Sequence, residues 1–248
     1  MGKMSTSKTI REKIWAKLKD VARPDTRFHM NFAEVIPDFE GSEAATERVV
    51  QDPAYQNSSF AFITPDNCLA DLRRRMIEAG KPFVMSTYGI YRGFLYLDPA
   101  TVPEGAALYA SWLDGMEHFA VPITLEEIAR KGRFDYLVTG ASAVSLNGVR
   151  FGKGHGFFDL EWGMFTDLGL VDEDTPVHAV VHDVQLVEDQ LQPSETDILV
   201  DTIFTPTRVH VVKRRAKRPC GVKWPLLEPK QISDTPPLQE LQRLQGLA

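Results

Sequence analysis

Apolar residues follow two spacings along this chain, one typical of helices and one typical of strands. In segment 9–18 they form a single helical stripe, with a capping-box pattern at Thr9 and Glu12. Segments 41–51 and 66–79 also have helical patterns, and each precedes an apolar run of strand length. This alternation of helix and strand predicts crossover units over a parallel sheet.

The same alternation continues through the second half of the chain. Segment 124–131 predicts a helix capped by Thr124, with Glu126 and Glu127 in the first turn, where negative charge is favourable. A further helix is predicted over 159–168, and Gly169 follows it as a C-terminal cap. No pattern emerges for 99–120. The predicted strands are 59–63, 82–85, 94–97, 136–139, 177–181, 202–204 and 209–212.

The composition changes after residue 212. Five basic residues lie within 213–218, several prolines follow, and a short helix is predicted over 238–247. We therefore predict one α/β domain over 1–212 and a tail over 213–248 that packs on the domain or trails from it. The basic run is interpreted as a solvated tail or a contact with the acidic body, in preference to an anion or partner site.

Composition narrows the class of protein. The 248 residues are 43% hydrophobic and 25% charged, which allows a packed core. The net charge of −6 argues against nucleic-acid binding, which needs a basic surface. Cys68 and Cys220 fit no metal or disulfide spacing. No apolar run could span a bilayer, and the N-terminus is too charged for a signal peptide, so we expect a cytoplasmic protein with no membrane partner.

A glycine-rich loop is the strongest chemical signal. Glycines allow successive backbone N–H groups to face one point, and such a nest beside a helix N-terminus binds anions. Lys153 would add a positive charge for a phosphate, and Asp159 could hold Mg²⁺. By itself the pattern is also compatible with an ordinary turn. The loop consists of Gly152, Lys153, Gly154, His155, Gly156, Phe157, Phe158 and Asp159.

A second acidic segment follows in 193–207. Asp197 and Asp201 precede an apolar strand that ends at Thr205 and Pro206. Carboxylates at the entrance of a strand either bind a metal ion or cap a turn, and for an isolated segment turn-capping is favoured. Neither reading is excluded by the sequence.

Together these two segments resemble the 5-formyltetrahydrofolate cyclo-ligase (methenyltetrahydrofolate synthetase) family. That family has a Gly-Arg/Lys-Gly-x-Gly-Tyr-Tyr-Asp loop and, later, a Pro-x₄-Asp-x₃-Asp segment. It also opens with a helix bearing Lys-x-x-Arg, matched by Lys8 and Arg11. A divergent branch, the methenyltetrahydrofolate synthetase domain-containing proteins, is most similar. That branch has Asp-Leu-Glu after the loop, which is matched here by Asp159, Leu160 and Glu161. A further motif of the branch is matched by residues 168–176.

The resemblance implies a three-layer α/β/α sandwich with a mostly parallel sheet. It also implies a reaction in one-carbon metabolism, in which ATP phosphorylates the formyl oxygen of 5-formyltetrahydrofolate. A second folate nitrogen then attacks, and 5,10-methenyltetrahydrofolate forms. The matched positions place Lys8 and Arg11 on the ATP phosphates and Asp159 and Asp197 on Mg²⁺. Three residues are implied in catalysis: Lys153, Arg150 and Asp159. The phosphates would be cradled by Gly152, Lys153, Gly154, His155, Gly156, Phe157 and Phe158.

Three departures from the family pattern concern the folate side. Phe157 and Phe158 replace a tyrosine pair, which removes two hydroxyl groups and predicts slow turnover of 5-formyltetrahydrofolate. The family's folate-holding element falls on 66–71 without its glutamate, and Ser145 replaces an aspartate. Two alternatives therefore stay open: an enzyme with the same ATP chemistry on another formyl, amide or carboxyl substrate, or a non-catalytic regulator that binds folate or nucleotide.

Some residues allow two interpretations. His182 and Asp183 could relay protons, although Asp183 capping a turn is favoured. Tyr88 and its aromatic neighbours could stack on a ligand ring, although a half-buried strand rim is favoured. Glu161 is two residues beyond Asp159, so on a helix it is expected to point away from that carboxylate. His155 would either touch phosphate or fill a variable loop position.

Overall fold

The computed structural model describes residues 7–188 and 190–247. Four short strands and several 3₁₀ turns that the sequence pattern did not predict lie between the main elements. The helices are α1 Ser7–Leu18, α2 Ser42–Val50, α3 Pro53–Gln56, α4 Ala70–Glu78, α5 Ala107–Ser111, α6 Leu113–Phe119, α7 Leu125–Lys131, α8 Phe157–Asp167, α9 Pro229–Ser233 and α10 Pro236–Leu244. The strands are β1 Ala61–Ile63, β2 Phe83–Ser86, β3 Phe94–Leu97, β4 Val121–Ile123, β5 Tyr136–Thr139, β6 Ala143–Ser145, β7 Arg150–Phe151, β8 Val177–Val180, β9 Leu186–Val187, β10 Thr202–Phe204 and β11 Val209–Val211.

A large mixed sheet forms the centre of the domain. Its strand order is β11-β10-β8-β5-β1-β2-β3-β4, and the five strands from β10 to β2 are parallel. The predicted parallel sheet is confirmed for these strands. Strand β3 runs antiparallel to β2 instead, because residues 87–93 are too few for a parallel crossover.

Helices cover both faces of this sheet, as the resemblance implied. Strand β1 alternates its side chains between two cores, with Phe62 in one and Ile63 in the other. The core that contains Phe62 is closed by α7, α8 and α10, and the core that contains Ile63 is closed by α2, α4, α5 and α6. The predicted three-layer α/β/α sandwich is therefore confirmed.

A small sheet holds the glycine-rich loop in place. Its order is β7-β6-β9, and β7 ends at Phe151, directly before the loop. Strands of two or three residues carry too little periodicity to be recognised in a sequence, so β6, β7 and β9 were missed, as was β4 at the edge of the large sheet. Helix α8 begins at Phe157 and ends at Asp167, close to the predicted 159–168. The capping box at Thr9 is wrong, since α1 is already helical at Ser7.

The C-terminal tail packs along the domain. Arg218 is buried, lies 5.0 Å from the ring of Trp162 and pairs with Asp201, and Arg214 pairs with Glu173. Two members of the basic run thus contact the acidic body. The tail also closes a core, because α10 places two fully buried leucines against α7. Across the described part of the chain, no helix is both long and apolar enough for a bilayer crossing.

Candidate active site

A cavity of about 910 Å³ opens at the carboxyl ends of the central parallel strands. Residues at or directly after the carboxyl ends of β1, β2 and β5 line it, which is where ligands bind in open α/β sheets. The glycine-rich loop, the start of α1 and segment 190–197 complete the wall. The fold therefore brings together most of the residues that the sequence singled out.

Two glycines of the loop have positive φ angles, as the sequence predicted for an anion nest. Gly154 and Gly156 have φ of 116° and 69°, which residues with a Cβ rarely adopt, and Gly156 is the N-cap of α8. A Cβ at Gly154 would lie 3.4 Å from the guanidinium of Arg11. The loop, the positive end of α8 and Arg11 thus meet at one corner of the cavity.

Lys153 lies half-buried in the cavity wall. Its Nζ donates to the backbone oxygen of Glu34 at 2.9 Å and lies 4.5 Å from the ring centroid of Tyr88. The Tyr88 hydroxyl in turn donates to Oε2 of Glu34 at 2.7 Å. Burial lowers the pKa of Lys153, while the nearby carboxylates of Asp66 and Glu34 oppose that shift. The ammonium group is held in one position instead of moving in solvent.

Arg150 lines the same cavity from β7. It is 7% exposed, its Nη1 donates to the backbone oxygen of Gly140 at 3.2 Å, and its guanidinium lies 4.7 Å from the ring of Phe158. Its Nε has no hydrogen-bond partner among the described residues. A second fixed cation therefore lies behind the loop.

Asp159 and Asp197 line the cavity on the side of segment 190–197. The N–H of Ile198 donates to Oδ1 of Asp159 at 3.1 Å, and the N–H of Ser194 donates to Oδ2 of Asp197 at 2.7 Å. Burial raises the pKa of Asp159 to about 6, the charge of Arg150 opposes this, and Asp197 adds to it. Asp197 therefore caps a turn, the reading that the sequence favoured, and it also lines the cavity.

The two carboxylates suit a magnesium ion that also binds phosphate. Mg²⁺ takes one or two carboxylates and leaves its other positions to water and phosphate oxygens. Within the described residues, no group of three or more His, Cys, Asp or Glu could hold a metal by itself. Asp159 and Asp197 line the same cavity as the glycine-rich loop and each keeps oxygen lone pairs, so the residues present fit the ion.

Glu161 reaches the cavity from another face of α8 than Asp159, so the expected difference in orientation does not keep it out of the site. Its side chain lines the same cavity as Asp159, although it is only 2% exposed. Ser86 donates a hydrogen bond to it, and Asp66 and Arg150 act on its charge. Burial raises its pKa to about 8, with Ser86 opposing that shift. The cavity surrounds the first turns of α8, so residues on different faces of the helix reach it.

Other predicted residues are placed as follows. Lys8 lies exposed on α1, outside the cavity wall, whereas Arg11 lines the cavity. The remaining loop residues that line the cavity are Gly152, Lys153, Gly154, His155, Gly156, Phe157 and Phe158.

The pair His182 and Asp183 has a turn-capping role. Asp183 accepts hydrogen bonds from the hydroxyls of Thr205 and Thr207 at 2.8 and 2.6 Å, and His182 caps the 3₁₀ turn that follows it.

An aromatic wall was only partly foreseen. Phe28 stacks on Tyr88 with ring centroids 5.1 Å apart, and both line the cavity together with Arg27. Tyr88 therefore belongs to the site, while its neighbour Tyr91 is exposed. Ile90 has a φ of 59°, a strained conformation for a β-branched residue, at the turn that presents Tyr88. Phe28 lies in no regular element, so sequence periodicity gave no signal for it.

Fold and site together define a class: a three-layer α/β protein with a glycine-rich loop at a cavity above the ends of its parallel strands. The sequence model of the 5-formyltetrahydrofolate cyclo-ligase family matches residues 3–206. The chain belongs to this family, which is a family of enzymes with a folate-related function.

Individual relatives agree with this assignment. The methenyltetrahydrofolate synthase domain-containing protein of Danio rerio is 31% identical over 243 residues, which cover 95% of this chain and 61% of that protein. The human protein of the same name is 30% identical over 237 residues, which cover 94% of this chain and 60% of the human protein. The chain thus spans about 60% of their length. The solved 5,10-methenyltetrahydrofolate synthetase of Aquifex aeolicus has the same fold, with a TM-score of 0.51 at 17% identity, covering 84% of this chain and 94% of that one.

Proposed function

We propose that this chain is an ATP- and Mg²⁺-dependent cyclo-ligase that acts on a reduced folate bearing a formyl group. The product would be 5,10-methenyltetrahydrofolate. The observation that carries the proposal is the nest at Gly154 and Gly156, with Lys153 fixed beside it, facing a cavity of about 910 Å³ at the strand ends.

The cationic corner suits a triphosphate. Transfer of a phosphoryl group depends on positioning and on neutralising charge on the equatorial oxygens. Loop N–H groups and the N-terminus of α8 would hold the phosphates, and Lys153 would neutralise charge on the transferred group. Arg150 approaches the loop at Gly152, and Arg11 approaches it at Gly154. Mg²⁺ held by Asp159 and Asp197 would add positive charge at the phosphate oxygens.

The rest of the cavity suits a flat, partly polar ring. Phe28 and Tyr88 form an aromatic wall on one side. The cavity is near the upper end of the size range for small-molecule sites, which leaves room for two substrates to meet. These features support a folate beside the nucleotide.

A thermal shift tests the nucleotide half. Millimolar Mg-ATP is expected to raise the melting temperature, because a ligand that binds only the folded state stabilises it by mass action. Formation of methenyltetrahydrofolate, followed by its near-ultraviolet absorbance, tests the folate half. An unchanged melting temperature would contradict the proposed nucleotide site. Stabilisation by Mg-ATP without formation of product would support the nucleotide site but contradict folate as the second substrate.

A second candidate is the same ATP chemistry on a different formyl, amide or carboxyl substrate. Phe157 and Phe158 favour it, because both line the cavity where hydroxyl groups would contact substrate. The double change Phe157→Tyr with Phe158→Tyr is expected to raise turnover of 5-formyltetrahydrofolate about tenfold if folate is the substrate. The measurement compares the initial rates of the unmodified protein and the double variant with 5-formyltetrahydrofolate. Background rates in both would favour the second candidate.

A further inference from the structure

A tight turn presents Arg27 and Phe28 to the cavity. Asp25 and His29 exchange two backbone hydrogen bonds of 3.0 and 2.9 Å across the turn. Oδ1 of Asp25 accepts from the backbone N–H groups of Arg27 and Phe28 at 2.7 and 2.8 Å. Asn67, in the segment after β1, donates to Oδ2 of the same carboxylate at 2.6 Å. Contacts within the protein therefore fix the turn beside the carboxyl end of a central strand.

Arg27 reaches the cavity, whereas the carboxylate that holds it is buried. The side chain of Arg27 is 32% exposed and that of Asp25 is 4% exposed. Nη2 of Arg27 donates to Oδ2 of Asp25 at 3.2 Å, which is long for a charge-assisted hydrogen bond. Within 7–188 and 190–247, the guanidinium has no other hydrogen-bond or salt-bridge partner. A guanidinium carries five N–H donors, so most of them remain available to a ligand.

Two cations lie against one pair of stacked rings in the cavity wall. The guanidinium carbon of Arg27 is 5.2 Å from the ring centroid of Phe28, and Nζ of Lys153 is 4.5 Å from that of Tyr88. The two ring centroids are themselves 5.1 Å apart. Because each cation contacts a different ring, Arg27 forms a positive position of its own, apart from the one at the glycine-rich loop.

The chemistry of Arg27 favours a carboxylate as the anion. A guanidinium is a planar fork that keeps its charge and matches the two oxygens of a carboxylate. Phosphates already have a site at the loop, where Arg11 approaches Gly154 and helix α8 begins. The remaining anionic groups in the proposed reaction belong to the second substrate, because a folate carries carboxylates at the end opposite its pteridine ring.

We propose that Arg27 is a specificity-determining residue that binds a carboxylate of the second substrate through its planar set of N–H groups. This rests on the proposed function and deepens it by naming the substrate class, a formyl-bearing ring compound with a carboxylate at its far end. Asp25 is the positioning residue, since it holds both the backbone of the turn and the guanidinium.

Calorimetric titration of the full chain with three ligands tests the proposal. The ligands are 5-formyltetrahydrofolate, its analogue with both carboxylates replaced by neutral amides, and Mg-ATP. The unmodified protein is expected to bind the carboxylate form about tenfold or more tightly than the amide form. Arg27→Met keeps an unbranched stem against Phe28 but removes the charge, so it should abolish that preference and change Mg-ATP affinity by less than about threefold. Arg130→Met, which removes an exposed arginine with one carboxylate partner on α7, is the matched control.

The outcomes separate a carboxylate site from other roles of Arg27. A preference that persists in Arg27→Met overturns the proposal, and so does an equal loss of Mg-ATP affinity, which indicates a phosphate-binding or structural role. If that variant does not fold, Arg27→Lys replaces it, and a preference lowered about threefold supports the proposal while an unchanged one overturns it.

The unmodified protein separates this inference from the proposed function. A chain that binds Mg-ATP and binds both folate forms equally overturns the role of Arg27 and leaves the proposed function standing. A chain that binds Mg-ATP but neither folate form contradicts the folate half of the proposed function, and this inference with it.

Discussion

Lys153→Ala is expected to lower kcat/KM for the ATP-dependent reaction by about 100-fold or more, the usual effect of removing one fixed donor at developing charge. The ammonium group is held by the backbone oxygen of Glu34 and by the ring of Tyr88, so it is already in position before phosphate arrives. A preorganised charge in a partly buried site stabilises a transition state more than a solvated one. Steady-state kinetics with varied ATP measure the change.

Two further variants make this result specific. Lys13→Ala removes an exposed lysine from α1 and is expected to leave kcat/KM unchanged. Lys153→Arg keeps the charge but not the compact ammonium, so partial activity is expected. Because Lys153 lies in a loop, its loss should alter the melting temperature little. Activity of Lys153→Ala within about threefold of the original would remove Lys153 from the reaction.

Acid is expected to destabilise the protein through His178, by about 2 kcal/mol between pH 7 and pH 5. His178 lies on β8 between the rings of Tyr136 and Phe204 and is 2% exposed. Burial lowers its pKa to about 4, although the carboxylates of Asp52 and Asp201 oppose that shift. Its Nε2 is 3.7 Å from Asp52, and its Nδ1 has no hydrogen-bond partner among the described residues.

The direction follows from proton binding. An unfolded histidine has a pKa near 6.5, so below about pH 6.5 the unfolded chain binds a proton that folded His178 does not accept until about pH 4. The free energy of unfolding therefore falls as pH falls through that window, and the loss is complete below pH 4. Above about pH 7 the residue has no effect on the slope.

Denaturant unfolding at several pH values measures this contribution. Asp159 and Glu161 also titrate in this range, so the comparison is with His178→Gln, which removes one titrating group and keeps a polar side chain. The stability difference between the two proteins should shrink by about 2 kcal/mol from pH 7 to pH 5. His118→Gln, on the exposed side of α6, is the control. A difference that does not vary with pH would contradict the assignment.

Local patterns in the sequence were sufficient for the main elements and for the loop. Apolar runs such as 136–139 and 177–181 have the length and composition of buried parallel strands, and they form β5 and β8. The glycines of the loop require positive φ, which is a property of single residues, so Gly154 and Gly156 could be identified without any tertiary contact. The order of the motifs along the chain was enough to indicate the family.

Tertiary structure alone decided which side chains share the cavity. Phe28 and Tyr88 are 60 residues apart and stack only because two irregular segments meet over the strand ends. Lys153 is fixed by a carbonyl 119 residues earlier in the chain. Helical spacing puts Glu161 and Asp159 on different faces of α8, but it does not tell that one cavity borders both faces. Such contacts depend on packing between distant segments, and periodicity within one segment carries no information about them.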